Sequence, residues 1–149
     1  MPVKVFVGAD HNGYHLRQGV ITFLKNKGFD VADDGDKTLN PEDDFPVFAA
    51  AVVKDVLGSD DAQPMGVLIC GSGQGMCMAA NRFRGIRAAL GYSKEAARSS
   101  RNDDDSNILC LPSRDLSLED ACDIVLLWLQ TPFAAAPRFS RRIQEMDHL

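Results

Sequence analysis

The sequence predicts one three-layer α/β domain built on a five-stranded parallel sheet. Two patterns carry that expectation: β-branched apolar runs alternate with segments of helical spacing, and Met65 to Cys70 is apolar throughout, as in a strand covered on both faces. No internal repeat or long linker interrupts the alternation. A chain of 149 residues buries roughly 68–70% of its unfolded surface, enough for a single core.

Val3 to Gly8 reads as the first strand, followed by the turn-like Asp10-His11-Asn12-Gly13 and a helix carrying Leu16, Val20, Ile21, Phe23 and Leu24. Lys27-Gly28 closes that helix, and Phe29 to Asp33 is a second strand. Residues 34–44 are polar and turn-rich, a loop. Pro46 opens a helix with Phe48, Ala49, Val52, Val53 and Val56 on one side, ended by Gly58 to Pro64. After the strand 65–70, Gly71-Ser72-Gly73-Gln74-Gly75 turns into a helix at 76–81. Residues 86–90 form a fourth strand, 93–101 a helix, and 106–111 a fifth strand. Ser117 caps the next helix, whose apolar face is Ala121, Ile124, Val125, Leu127 and Trp128, and a last helix starts near Pro137.

With 16 Lys and Arg against 21 Asp and Glu, the net charge of −5 repels a phosphate backbone and argues against nucleic acid. No apolar run approaches the ~20 residues of a membrane helix, and Met1-Pro2-Val3-Lys4 carries no signal-peptide pattern, so a cytoplasmic protein is expected. Cys70, Cys77, Cys110 and Cys122 lack CxxC pairing, and His11, His15 and His148 stand at no zinc-ligand spacing to them, so reduced thiols and no structural metal are expected.

Ligands of open parallel sheets bind beyond the carboxyl ends of the strands, which directs attention to the segments after Gly8, Cys70, Leu90 and Leu111. Asp10 and His11 lie there, although Asp-His-Asn-Gly is also ordinary turn chemistry. Cys70 ends a buried strand just before a glycine-rich turn, whose N–H groups bind anions and favour a nearby thiolate; the alternative is a small buried hydrophobe. As a dinucleotide fingerprint the segment is weak, reading G-x-G-x-G after the third strand, so NAD is discounted. Arg138 and Arg142, at i and i+4, offer two guanidiniums to a phosphate, or form a solvated basic helix face. Asn102 to Asp105 read as a solvated acidic cap, Cys77, Cys110 and Cys122 as core, and His15 and His148 as surface.

Val7 to Gly13, Asp44-Phe45-Pro46, Ile69 to Met76 with Ala79-Ala80-Asn81-Arg82, Gly85 to Ala88, Asn107 to Leu109 and Arg138-x-x-x-Arg142 together resemble the B-type ribose-5-phosphate isomerases and galactose-6-phosphate isomerase subunits. The match spans nearly the whole chain in order, with Cys-Gly-Ser-Gly-x-Gly its most specific part. The resemblance implies a Rossmann-like fold and interconversion of aldose and ketose phosphates without metal or cofactor. It also implies a homodimer or homotetramer whose sites are completed by the neighbouring subunit, with the helix from about 137 to 149 packing on that neighbour. By the same resemblance Cys70, Ser72 and Asp103 fall at catalytic positions, Cys70 as the base that moves a proton between C1 and C2 through a cis-enediolate. Asp10, His11, Gly71, Ser72, Gly73, Gln74, Gly75, Asp104, Arg114, Arg138 and Arg142 fall at substrate-binding positions, with backbone N–H groups of 71–75 as the anion hole.

The chain departs from the family pattern at one functional pair: a ring-opening histidine and its neighbouring asparagine are replaced by Asp103 and Asp104, and no histidine lies between His15 and His148. The usual tyrosine of Asp-Tyr-Pro is Phe45. Three readings follow. Asp103, raised in pKa by its acidic neighbours, opens the ring; the substrate is another sugar phosphate or one more often open; or the chain is half of a heteromer with a histidine-bearing paralogue. A non-catalytic sugar-phosphate-binding subunit is the alternative from another class.

Overall fold

Apolar alternation turns into architecture directly. In the computed structural model, which describes residues 3–149, the chain runs β1 (Lys4–Ala9), a 3₁₀ turn (His11–Gly13), α1 (Tyr14–Asn26), β2 (Asp30–Asp33) and α2 (Phe45–Gly58). It continues through β3 (Met65–Cys70), α3 (Gln74–Ala80), β4 (Ala88–Leu90), α4 (Lys94–Asp104), β5 (Ile108–Pro112), α5 (Leu118–Gln130) and α6 (Pro137–Asp147). The reading of Met1-Pro2 as the start of a leaderless chain lies outside the described residues. No helix among the described residues is long and apolar enough to cross a membrane.

The five strands form one parallel sheet in the order β2-β1-β3-β5-β4. Crossovers are right-handed in such sheets, so connections moving one way along the sheet cover one face and those moving back cover the other. On one face Val5, Val7, Ala9, Met65, Val67, Ile69, Leu109 and Leu111 meet Val20, Ile21 and Leu24 of α1, Ala97 of α4, and Ala121, Val125 and Trp128 of α5. On the other, Phe6, Leu68, Cys70, Ile108 and Cys110 meet Phe48, Ala49, Val52, Val53 and Val56 of α2 and Met76 and Ala80 of α3. Each fully buried Val, Leu or Ile contributes about 1.5–3 kcal/mol. The three-layer parallel architecture expected from the sequence is present, with Cys70 on the α2–α3 face.

Several boundaries move for local reasons. β4 starts at Ala88 rather than 86, because two asparagine side chains take over from the ladder: Asn107 Oδ1 accepts from the Arg87 N–H at 2.8 Å, and Asn81 brackets Ala88 through its carbonyl (2.9 Å) and N–H (2.8 Å). α3 starts at Gln74, two residues early, because Gly73 holds φ +75°, a left-handed conformation that glycine adopts without strain, and so serves as the N-cap. α4 runs on to Asp104, so Asn102, Asp103 and Asp104 are its last turn rather than a loop cap. Asp105 ends it in the left-handed region (φ 49°) and bonds Arg101 and Arg87.

That end of α4 is tied down from inside. Arg101, 1% exposed, donates through Nη1 to Asp105 Oδ1 (2.7 Å) and to the Ser106 carbonyl (2.5 Å), and through Nε to the Thr131 carbonyl (3.2 Å). Ser106 Oγ accepts from the Trp128 indole N–H at 2.8 Å and pairs with Ser100 Oγ at 2.8 Å. The Ala134 N–H donates to the Asn102 carbonyl at 3.0 Å, seating the link to α6 beside α4. No residue of α6 is buried.

Candidate functional site

Strand order reverses at β1 and β3: from β1 the chain steps outward to β2, then returns across β1 to β3. In open parallel sheets the loops leaving such a pair of strands bound the ligand site at their carboxyl ends. Asp10 and Cys70 follow and end β1 and β3 there, joined through the Asp10 N–H to the Ile69 carbonyl at 3.3 Å. The segment after β5 closes on them: the Ser113 N–H donates to the Cys70 carbonyl (2.9 Å), the Arg114 N–H to the Gly71 carbonyl (3.0 Å), and Ser113 Oγ to the Asn12 carbonyl (2.8 Å). Three loops far apart in sequence are thus one unit.

Within it Cys70 is 6% exposed and every cysteine is free. The N–H groups of Gly71, Ser72 and Gly73 donate to no backbone carbonyl among the described residues, while the Gln74 N–H is taken by Ser72 Oγ at 3.3 Å. Glycine at 71 leaves room for the exposed Arg114 guanidinium, whose Cζ would stand 2.9 Å from a Cβ there. Phe45 lies over Gly75 in the same way, its ring 2.8 Å from where a Cβ would be, so an apolar wall stands where a hydroxyl was expected to be lost. Asp10 is 5% exposed; burial raises its carboxyl, and the Asn12 N–H bonded to its Oδ1 at 3.0 Å and His11 beside it pull it back.

His11 is held by a residue that sequence reasoning passed over. Asp43 Oδ1 accepts from both the His11 backbone N–H (2.9 Å) and its ring Nδ1 (2.8 Å), and this bond raises the imidazole pKa. Thirty-two positions separate the two residues, and the sequence places Asp43 in an undifferentiated polar loop, so no local signal marks it. His15 and His148 are exposed, as expected; Cys110 and Cys122 are buried and Cys77 partly so.

The remaining residues expected in the site are elsewhere. Helices of a parallel sheet run back against the strands, so α4 ends where β5 begins, at the amino end of the sheet. Asp103 and Asp104 lie there, and so does α6 beside α4, with Arg142 close enough to Asp104 to lower its pKa. β5 alone, five residues long, puts about 16 Å between this end and the Cys70 end. Asp103 Oδ1 accepts from Asn102 Nδ2 at 2.8 Å. Partial desolvation and then Asp103 raise the Asp104 carboxyl, opposed by Arg142 and Arg87. Arg138 stacks its guanidinium on Phe139, 4.4 Å from the ring centre. The expected residues thus form two clusters in one chain: Asp10, His11, Cys70, Gly71 to Gly75 and Arg114 at one end, Asp103, Asp104, Arg138 and Arg142 at the other.

Comparison with known proteins gives a consistent result. A family model described as Ribose/Galactose Isomerase matches residues 5–146. A probable ribose-5-phosphate isomerase B of Mycoplasma genitalium is 38% identical over 146 residues, 98% of this chain and 95% of that protein. Ribose-5-phosphate isomerase B of Escherichia coli is 36% identical over 142 residues, 95% of this chain and 92% of that protein. Among solved structures, a ribose 5-phosphate isomerase from Thermotoga maritima superposes with a TM-score of 0.92 at 39% identity, covering 99% of both chains. The Mycoplasma genitalium structure with bound ribulose-5-phosphate superposes with a TM-score of 0.92 at 38% identity, covering 99% of this chain and 96% of that one. With its sheet order, its cysteine-ended third strand and these matches along nearly its full length, this chain belongs to the ribose/galactose isomerase family.

Proposed function

We propose that this chain is an aldose–ketose isomerase of a phosphorylated sugar, of the ribose 5-phosphate and ribulose 5-phosphate type, acting at a site built from two copies. The observation that carries the reading is the cluster at the β1–β3 reversal, where Cys70 adjoins a turn whose first N–H groups donate to no backbone carbonyl among the described residues and Arg114 stands beside it. Family membership, and a relative solved with bound ribulose-5-phosphate, support the substrate class.

In this reading the Cys70 thiolate takes the proton from C2 of the open-chain aldose, the electrons move into the C1–C2 bond, and the aldehyde oxygen becomes an enediolate oxygen. Ser72 and the N–H groups of 71–75 hold that developing charge. The C2 hydroxyl proton then passes to the C1 oxygen, Cys70 returns its proton to C1 and the C2 oxygen becomes the ketone, so atoms and charge balance without an external redox partner. Asp10 contacts the sugar, while His11, Arg114, Arg138 and Arg142 hold the anionic end.

Two copies are needed because Cys70 and the Asp103–Arg142 cluster occupy opposite ends of one sheet. A two-fold dimer brings the amino end of one copy to the carboxyl end of the other, twice. The unburied face of α6 is available to pack on that neighbour, which supports the C-terminal helix as an intersubunit element.

One feature favours a second reading. With aspartates at 103 and 104, the chain is a sugar-phosphate-binding subunit, alone or paired with a histidine-bearing paralogue, if ring opening fails. The deciding experiment incubates purified protein with ribose 5-phosphate and with ribulose 5-phosphate in D₂O. Exchange of the C2 proton with net interconversion, lost in Cys70→Ala, supports the isomerase. Thermal stabilisation by the sugar phosphate with no exchange supports the binding subunit.

A further inference from the structure

The segment between β2 and α2 is anchored at one point and delivers a single carboxylate. Arg17 of α1 is 2% exposed, and its Nη2 donates to the Asp36 carbonyl at 2.5 Å while its Nε faces Asp33 Oδ1 at 3.2 Å. The Tyr14 ring stacks on the same guanidinium, 4.9 Å from its Cζ, and Tyr14 Oη donates to the Lys37 carbonyl at 3.1 Å. From this clamp the chain runs to Asp43, whose side chain is 9% exposed and whose Oδ1 receives both His11 bonds. The other ring nitrogen of His11, Nε2, has no protein partner among the described residues, and the side chain is 30% exposed.

We propose that Asp43 is the positioning residue of the site: it fixes the His11 ring with Nδ1–H turned inward, so that Nε2–H is presented to an anionic group of the substrate. This rests on the reading of the crevice as a sugar-phosphate site. A carboxylate on one ring nitrogen sets the tautomer and stabilises the imidazolium, making the other nitrogen a charged donor. Without Asp43 the ring is free to rotate and loses its proton at lower pH. The remaining charges acting on this group are Asp10 from the same turn and Asp36 from the anchored segment, which Arg17 of α1 in turn faces. Burial and the nearby Asp43 raise the Asp36 carboxyl; burial also pushes Asp43 up, but its bonds from His11 outweigh that and hold it low.

The test compares wild type, Asp43→Asn and Asp43→Glu as full chains, with melting temperatures to establish folding. Nitrogen-detected NMR titration of the imidazoles, in a His15→Gln, His148→Gln background, follows His11 alone without any need for turnover. The expected result is a lower His11 pKa in Asp43→Asn and recovery in Asp43→Glu. In isomerase assays KM for ribose 5-phosphate rises about tenfold in Asp43→Asn while kcat stays within about twofold, as loss of one charge-assisted contact predicts. The rise in KM with pH also begins at lower pH. An unchanged His11 titration, or a kcat loss at unchanged KM, overturns the proposal. Absence of turnover in the wild type overturns the isomerase reading and leaves the titration to decide the role of Asp43.

Discussion

Cys70 and Asp104 stand at opposite ends of the same sheet, one closing β3 and the other ending the helix that feeds β5. No side-chain motion joins them within a chain, because about 16 Å of buried strand lies between. This makes the shared-site reading testable by mixing. Cys70→Ala and Arg142→Ala are each expected to be inactive alone. After co-refolding, half of the dimers are mixed and each holds one intact site, so activity should return to about a quarter of wild type. Failure to regain activity, with mixed dimers demonstrated by mass spectrometry, would overturn the shared site.

The Asp104 carboxyl, exposed in the single chain, is raised by partial desolvation first and by Asp103 next. A carboxyl that keeps its proton to higher pH is suited to protonate a ring oxygen. Asp104→Asn is expected to slow turnover of ribose 5-phosphate at least tenfold while sparing C2 proton exchange on an open-chain analogue. Equal losses on both substrates would assign Asp104 to binding. Asp103→Asn serves as the neighbouring control.

Asp34 follows β2 and stands beside Asp55 of α2, its Oδ2 buried without a hydrogen-bond partner. Burial first, then Asp55, raises its pKa from 3.8 to about 7. A carboxyl that binds its proton more tightly folded than unfolded favours the folded state at low pH, and that contribution is lost as pH rises through about 7. Asp55→Asn removes the neighbouring charge and should raise the melting temperature at pH 8 by about 2–4 °C, the shift that ~1 kcal/mol produces at this size. The gain should shrink toward pH 5; a gain that grows on acidification would contradict the linkage.

Arg101 joins the end of α4 to β5 and to the chain leading to α6. Replacing it by Met leaves Asp105 without its closest partner and two carbonyls without donors. The expected cost is about 3 kcal/mol in chemical denaturation. Because the same contacts seat the Asp103–Arg142 cluster, site affinity should fall as well. A stability loss under about 0.5 kcal/mol would mean the network is not structural.

Much of the candidate site's placement in the sheet was legible in the residues. The buried run 65–70 followed by Gly-Ser-Gly marked a strand entering a turn, and the sheet rule then singled out Asp10, His11 and Cys70. The boundaries that moved did so where side chains replaced backbone partners. Asn81 and Asn107 shorten β4 in this way, and long-range bonds of this kind leave no periodicity to read. Asp43 was illegible for the same reason, its role depending on where Arg17 pins a loop.

The sequence by itself determined the alternation of strands and helices, the faces each buries and which groups, Asp10, His11 and Cys70 with its glycine turn, follow β1 and β3, because these depend on local spacing and on groups adjacent in the chain. Only the tertiary structure decided that the expected residues fall into two clusters at opposite ends of the sheet, that Asp43 holds His11, and that desolvation and Asp103 raise the Asp104 carboxyl. Those properties depend on strand direction, on contacts across the fold and on burial, all of which arise when the layers pack.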